Sequence, residues 1–260
     1  NQDNKFGALQ ERAIQVVGEE DGIWNDTDYA LFYAQGPHGY NMFGKYGNGS
    51  TLTDYRSDRP AHVQNIYNDE SYYFISFDNG LGKRIQDSDI SITGESFTRF
   101  DDYQFINNDK SNLLKLGRVW VDDSFSGEKK IDFDLKTPLL ATDEVIYRVS
   151  VVSYNGSNNS YNFNINGSNP LPITVPNTTN LFVKTQSEQR TRNLTGNKLS
   201  INITPSISAN PNGSFYFDYA EIMYKQDLQF NNSQMNFRSF DIYEGSSENY
   251  GFSMTNPGGL

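Results

Sequence analysis

This 260-residue chain contains no cysteine. Within these residues that excludes a disulfide framework, a thiolate metal site and a cysteine nucleophile. Histidine is nearly absent as well, since His38 and His62 are the whole supply. Two histidines without cysteine do not make a structural zinc site, H-E-x-x-H is missing, and no G-x-S-x-G elbow presents a serine. Both histidines lie in a loop-rich stretch and read as loop or surface residues. Basic charge is in deficit: 21 Lys and Arg stand against 32 Asp and Glu, for a formal net charge of -11. Such a chain repels a phosphate backbone, which excludes nucleic acid as a partner class. No apolar run approaches the roughly 20 residues of a membrane-spanning helix. The first residues, NQDNKFGALQER, carry no signal-peptide core, so the chain reads as a soluble mature piece without a transmembrane segment.

A 3.6-residue apolar period is also scarce, and alternation takes its place. With 17 Tyr and 18 Phe beside many Asn, Ser, Thr and Gly, the composition is that of strands joined by polar turns. The alternation predicts strands over residues 13–17, 29–34, 71–77, 130–135, 144–153, 161–166, 180–185, 198–204, 214–225 and 237–243. Three inward faces can be named: Ile131, Phe133 and Leu135; Val145, Tyr147, Val149 and Val151; Leu199, Ile201 and Ile203. Turns such as NGSNNS (155–160) and NPNGS (210–214) separate them.

The expected fold class is therefore all-β. A loop-rich β domain over residues 1–105 is followed by a jelly-roll-like β-sandwich over 106–243, and residues 244–260 begin a further strand or linker. The stretch TRFDDYQFINNDKS (98–111) reads as the polar connection between domains, and DKSNLLKLGRVW (109–120) as the one short helix. The final NYGFSMTNPGGL reads as a break within a longer protein.

The stretch VVGEEDGIWNDTDYALFYAQGP (16–37) concentrates the chemistry. Glu19, Glu20, Asp21, Asp26 and Asp28 crowd between two apolar runs, and hard oxygen ligands are what calcium binds. The EF-hand spacing is absent. Two readings stay open: an irregular calcium loop through Asp21, Asp26 and Asp28, or a turn at Asp21-Gly22 with Asn25 or Asp26 capping the bend before the next strand. GLGKR (80–84) lacks the full phosphate-loop spacing and reads as a hairpin turn presenting Lys83 and Arg84. Acidic pairs for glycoside hydrolysis carry no signal, because 32 acidic residues offer too many pairings. N-x-[ST] triplets, as at Asn155 and Asn166, arise readily by chance in such a composition.

Several stretches in succession resemble the region upstream of the peptidase domain in the type IX secretion sortase (PorU) family, the gingipain-like surface cysteine peptidases of Bacteroidetes. They are residues 9–40, QNIYNDESYYFISFDNGLGKRI (64–85), GRVWVDDSF (117–125), FDYAEIMYKQDL (217–228) and NFRSF (236–240). The resemblance implies a parent enzyme that removes C-terminal sorting domains from secreted cargo at the outer membrane, beside the β-barrel partner PorV. The family's His and Cys dyad would then lie beyond Leu260. With no cysteine here, no catalytic residue is carried over, no cofactor is implied, and the segment itself is expected to be inactive. What remains is a scaffolding, docking or positioning role at the cell surface. The alternative is a carbohydrate-binding jelly-roll module, with or without structural calcium, since sugar faces stack on flat rings.

Overall fold

In a computed structural model the chain is described at residues 9–40, 62–65, 67–76, 80–87, 90–115, 119–154, 158–176, 184–230, 235–239, 241, 242 and 247–255. These residues fall into two compact units, one within Asn1–Tyr40 and His62–Ser91, the other including Ile92–Leu260.

The first unit holds β1 (Ile14–Val17), β2 (Tyr29–Phe32), β3 (Gly39–Tyr40) and β4 (His62–Val63). β1 and β2 form an antiparallel ribbon in the register Ile14 to Phe32 through Val17 to Tyr29, and β3 pairs with β4. The expected strand at 71–77 is not formed over its described residues 71–76. Alternation alone does not make a strand, and this run has no neighbouring backbone to pair with among the described residues.

The second unit holds β5 (Ser96–Phe97), β6 (Arg99–Asn107), β7 (Lys129–Leu139), β8 (Glu144–Tyr154), β9 (Asn159–Ile165), β10 (Leu171–Val175), β11 (Lys184–Asn193), β12 (Gly196–Pro205), β13 (Ser214–Asp227) and β14 (Gly251–Phe252). Eight of them make two four-stranded antiparallel sheets, ordered β10-β9-β12-β7 and β11-β8-β13-β6. The nested pairs β9·β10, β8·β11, β7·β12 and β6·β13 form one long hairpin wrapped over two sheets, which is the jelly-roll arrangement. The chain is thus all-β, as the alternation predicts.

The core lies between the two sheets and uses the faces named above: Ile131, Phe133, Leu135, Val145, Tyr147, Val149, Val151, Leu199, Ile201 and Ile203 are all buried. A period of two turns every second side chain inward, so burying one face fixes the register. β13 breaks parity on purpose. A register shift between Phe217 and Ala220 lets Phe215 and Phe217 face the core before it, and Ala220, Ile222 and Tyr224 after it.

Three expectations fail in this unit. Residues 98–111 are not a connection, because Arg99–Asn107 is β6, paired along Tyr219–Asp227 of β13. Its sequence RFDDYQFIN hides this, since its polar side chains find partners outside the strand it pairs with: Gln104 Nε2 donates to the Asp134 carbonyl of β7 at 3.1 Å, and Arg99 reaches Asp143, just before β8, with two nitrogens at 2.6 Å each. No helix forms over the described residues of 109–120. Ser111 instead pairs with Val121, and the following residues extend the β6 edge. Asp122 N–H bonds the Phe217 carbonyl at 2.9 Å, and Phe125 N–H bonds the Phe215 carbonyl at 3.0 Å. Likewise 237–243 is not a strand over its described residues, while β14, within the expected trailing segment, pairs in parallel with β5.

Candidate functional site

The acidic turn of the first unit is built by its own side chains. Gly18 adopts a left-handed φ of 93°, a single 3-10 turn spans Glu19–Asp21, and Gly22 closes it at φ 71°. Gly18 is required twice over, because a Cβ there would stand 1.9 Å from Asp28 Oδ1. The Asp21 carboxylate accepts the Ile23 N–H at 2.8 Å and Asp28 accepts the Asn25 N–H at 2.8 Å. Asn25 Oδ1 takes both the N–H and the hydroxyl of Thr27. The Asp21 and Asn25 bonds are Asx-type turns, and the Asp28 bond reaches back three residues to brace them. Of the calcium candidates, Asp21 and Asp28 bond local backbone, and Asp26 is exposed. Among the described residues no three His, Cys, Asp or Glu side chains are grouped closely enough to hold a metal ion.

Next to the turn, Arg84 grips Glu19 with Nε at 3.1 Å and Nη2 at 2.8 Å on Oε2. This fork holds the Glu19 carboxyl below the usual carboxylate range. The GLGKR stretch forms no hairpin over its described residues: after a bend at Gly80, φ 85°, it meets β1 in a parallel bridge of Ile14 with Arg84. The Ile14 N–H bonds the Lys83 carbonyl at 3.0 Å and the Ile85 N–H bonds the Ile14 carbonyl at 2.8 Å.

β2 differs from every strand of the sandwich. All four of its residues are exposed, Leu31 by 50 %, and the exposure continues through Tyr33 at 66 %. Tyr72, Phe74 and Ile75 of the same unit are exposed as well. Large exposed apolar patches mark interaction surfaces.

Beyond β2 the chain walls an open groove of about 390 Å³ together with residues 69–73; Ala34, Gln35, Pro37, Asp69, Glu70 and Tyr73 line it. Its walls are stapled. The Tyr73 hydroxyl donates to the Gln35 carbonyl at 2.8 Å and accepts the Gln35 N–H, and its ring lies 5.4 Å from that of Phe32. His38 Nε2 sits 3.3 Å from Asp69, while Nδ1 accepts the Asn65 N–H at 3.0 Å. With both ring nitrogens engaged, His38 has none left to take a proton from a nucleophile. His62, by contrast with the loop expectation, is buried in β4.

In the sandwich unit the buried acids are held by cations. Asp122 receives Lys110 Nζ and Lys129 Nζ at 2.7 Å each. Burial opposes its ionisation, but the two ammonium groups and the Asp123 N–H outweigh this and hold it well below the usual carboxylate range. Asp143 is likewise lowered: burial works against the charge, and the Arg99 fork more than offsets it. Glu221 meets Arg148 at 3.3 Å and accepts the Tyr103 hydroxyl at 2.8 Å. Such neutralised carboxylates fix structure and do not wait for a proton. Sequence reasoning missed this set because Arg99–Asp143 and Arg148–Glu221 join residues far apart in the chain, and Lys110 and Lys129 meet at Asp122 only once the run between them is folded.

No family model matches the chain, and no curated protein sequence matches it. Among solved structures, the crystal structure of dimeric latent PorU from Porphyromonas gingivalis is similar over 98 % of this chain, with a TM-score of 0.64 at 15 % identity. That match takes in 23 % of the PorU chain, so the present chain spans about a quarter of its length. A virus-like particle of the Macrobrachium rosenbergii extra small virus aligns with 60 % of this chain and 96 % of its own at TM-score 0.27 and 10 % identity. The globular domain of zebrafish complement 1qA aligns with 52 % and 100 % at 0.23 and 14 %. The PorU likeness establishes a PorU-like fold for this chain.

Proposed function

We propose that this chain is a non-catalytic docking and spacing module of a type IX secretion sortase at the cell surface. The observation that carries the reading is the PorU-like fold over 98 % of the chain, joined to a sequence without cysteine. In this reading the jelly roll is the rigid spacer, since its core is closed on both sheets and its buried charges are paired. The first unit is the docking element, because it leaves apolar strand surface exposed. Its partners are the parent's own peptidase domain and an outer-membrane β-barrel of the PorV kind.

The test uses the purified 260-residue chain. Incubated with a secreted cargo carrying its C-terminal sorting domain, it is expected to leave the cargo intact; added to the separately produced peptidase portion of its parent, it is expected to co-elute. Cargo cleavage by the chain alone, or no association with the peptidase portion, contradicts the proposal. The second reading, a carbohydrate-binding module, is supported by the exposure of Trp24 on the acidic turn. Calorimetry against a glycan panel decides it, heat of binding being the outcome in its favour.

A further inference from the structure

The two edges of the first unit's ribbon differ. β1 is bridged at Ile14 by residues 83–85, whereas β2 has no strand partner but β1 among the described residues. Natural edges are normally blunted by charge or proline. The sandwich follows that rule: β11 reads KTQSEQRTRN, β10 carries Pro172, β6 carries Arg99, Asp101 and Asp102, and β7 carries Lys129 and Lys130. β2, YALF, has neither charge nor proline, and it is exposed throughout.

The charges lie at its two ends. The Glu19–Asp28 turn precedes it, and Asp69 and Glu70 line the groove that follows it. The described residues of this unit hold nine acidic side chains and three basic ones, and one of the three, Arg84, is committed to Glu19. The surface is thus acidic, then apolar along a strand edge that no other described strand pairs, then acidic again.

We propose that the outer edge of β2 and the adjoining Asp69–Tyr73 groove take up an extended polypeptide segment with an apolar middle and basic ends, added as a third strand to the ribbon. Backbone hydrogen bonds supply the pairing, Leu31 and Tyr33 receive the alternate apolar side chains, and a Lys or Arg enters the groove beside Asp69 and Glu70. A second copy of this chain fits poorly, since it would oppose acid to acid. Anionic lipid fails on the same ground. That the occupant is a polypeptide rests on the docking role proposed above.

The probe is a fluorescent decapeptide with Lys-Arg at each end of an alternating Val-Thr run, titrated into the full chain by anisotropy at low salt. Saturable binding is expected, with new amide protection at residues 29–33. Binding is expected to weaken at least fivefold in the Asp69→Asn/Glu70→Gln variant and at least tenfold when alternate peptide nitrogens are methylated, which removes the ladder donors. Leu31→Lys, on the exposed ribbon, tests the edge from the protein side and is expected to weaken binding by a similar factor. Three results overturn the proposal: no binding, equal binding of a peptide with Glu at both ends, or equal binding of the methylated peptide. A dimer by sedimentation that Leu31→Lys dissolves would make a second copy the occupant and overturn it too. If the chain still co-elutes with its peptidase portion while the peptide fails, only this inference falls; if the peptide binds and co-elution fails, the docking role falls instead.

Discussion

Replacing Asp122 with Asn isolates the clip that fastens the 109–125 connection to the jelly roll. Its side chain is 3 % exposed and sits between Lys110 and Lys129, each 2.7 Å away. Removing one member of a buried ion pair costs about 3–5 kcal/mol when the other is stranded. Here the stranded partners can rehydrate, because Lys110 is 51 % exposed and Lys129 is 24 % exposed. The amide also keeps an oxygen for the Asp123 N–H, which the carboxylate accepts at 2.9 Å. A net loss of about 2 kcal/mol follows, or about 4–8 °C in the melting temperature of a unit this size. The pH dependence carries the sharper test. The folded carboxyl is depressed, so its contribution is complete above the unfolded value near about 4 and is lost as pH falls through that range toward the folded value. Thermal melts by circular dichroism should therefore show wild type and Asp122→Asn well apart at pH 7 and converging between about pH 4 and 2. Equal melting temperatures at pH 7, or a gap that persists undiminished at the acid end, would refute the reasoning.

Further expectations follow from the same geometry. Gly18→Ala places a Cβ 1.9 Å from Asp28 Oδ1 on a backbone with φ 93°, and is expected to destabilise the first unit by about 1–2 kcal/mol, read as faster amide exchange at Asn25 with the sandwich amides unchanged. Tyr161→Phe removes a hydroxyl that donates to the Val152 carbonyl at 2.6 Å and accepts the Tyr216 N–H at 3.2 Å inside the core, and should cost about 1–3 kcal/mol in urea unfolding; a change below measurement would mean the two backbone groups find other partners. For the calcium reading of Asp21, Asp26 and Asp28, a melt with excess calcium against one with chelator decides: a bound ion raises the melting temperature, and coincident curves dismiss it.

How much of this was legible in the sequence depends on what holds each strand. β7, β8, β12 and β13 bury one apolar face against the facing sheet, so Ile131-x-Phe133-x-Leu135 and Leu199-x-Ile201-x-Ile203 announce them. β8 is buried on its second face too, where Ile146, Arg148, Ser150 and Val152 lie, and so reads as a nearly continuous apolar run. Of the four sandwich edges, β6, β10 and β11 were the hidden ones, while β7 was not. β6 and most of β11 are polar because one side of each is open, and β10 tolerates Pro172 because an edge strand can spare a donor. The existence of β6 and β11 is dictated by partners dozens of residues away. The run at 71–76 errs the other way: Tyr72 and Phe74 alternate as a strand would, yet no strand pairs with them among the described residues. At the candidate site the acidic turn was legible in outline, as one of two readings left open: Asp21 and Gly22 do lie in a turn, at the close of a 3-10 segment. The capping role fell to Asn25 and Asp28 and not to Asp26. The groove at Asp69–Tyr73 was not legible, since Tyr73 meets Gln35 across 38 positions of sequence.

The central claim is that this segment serves a larger surface sortase without performing its chemistry, and the reading frame downstream of Leu260 tests it most directly. The account predicts that translation continues into a gingipain-like peptidase domain bearing a His and Cys dyad. A frame that stops there, or that runs on into a domain without that dyad, would contradict it.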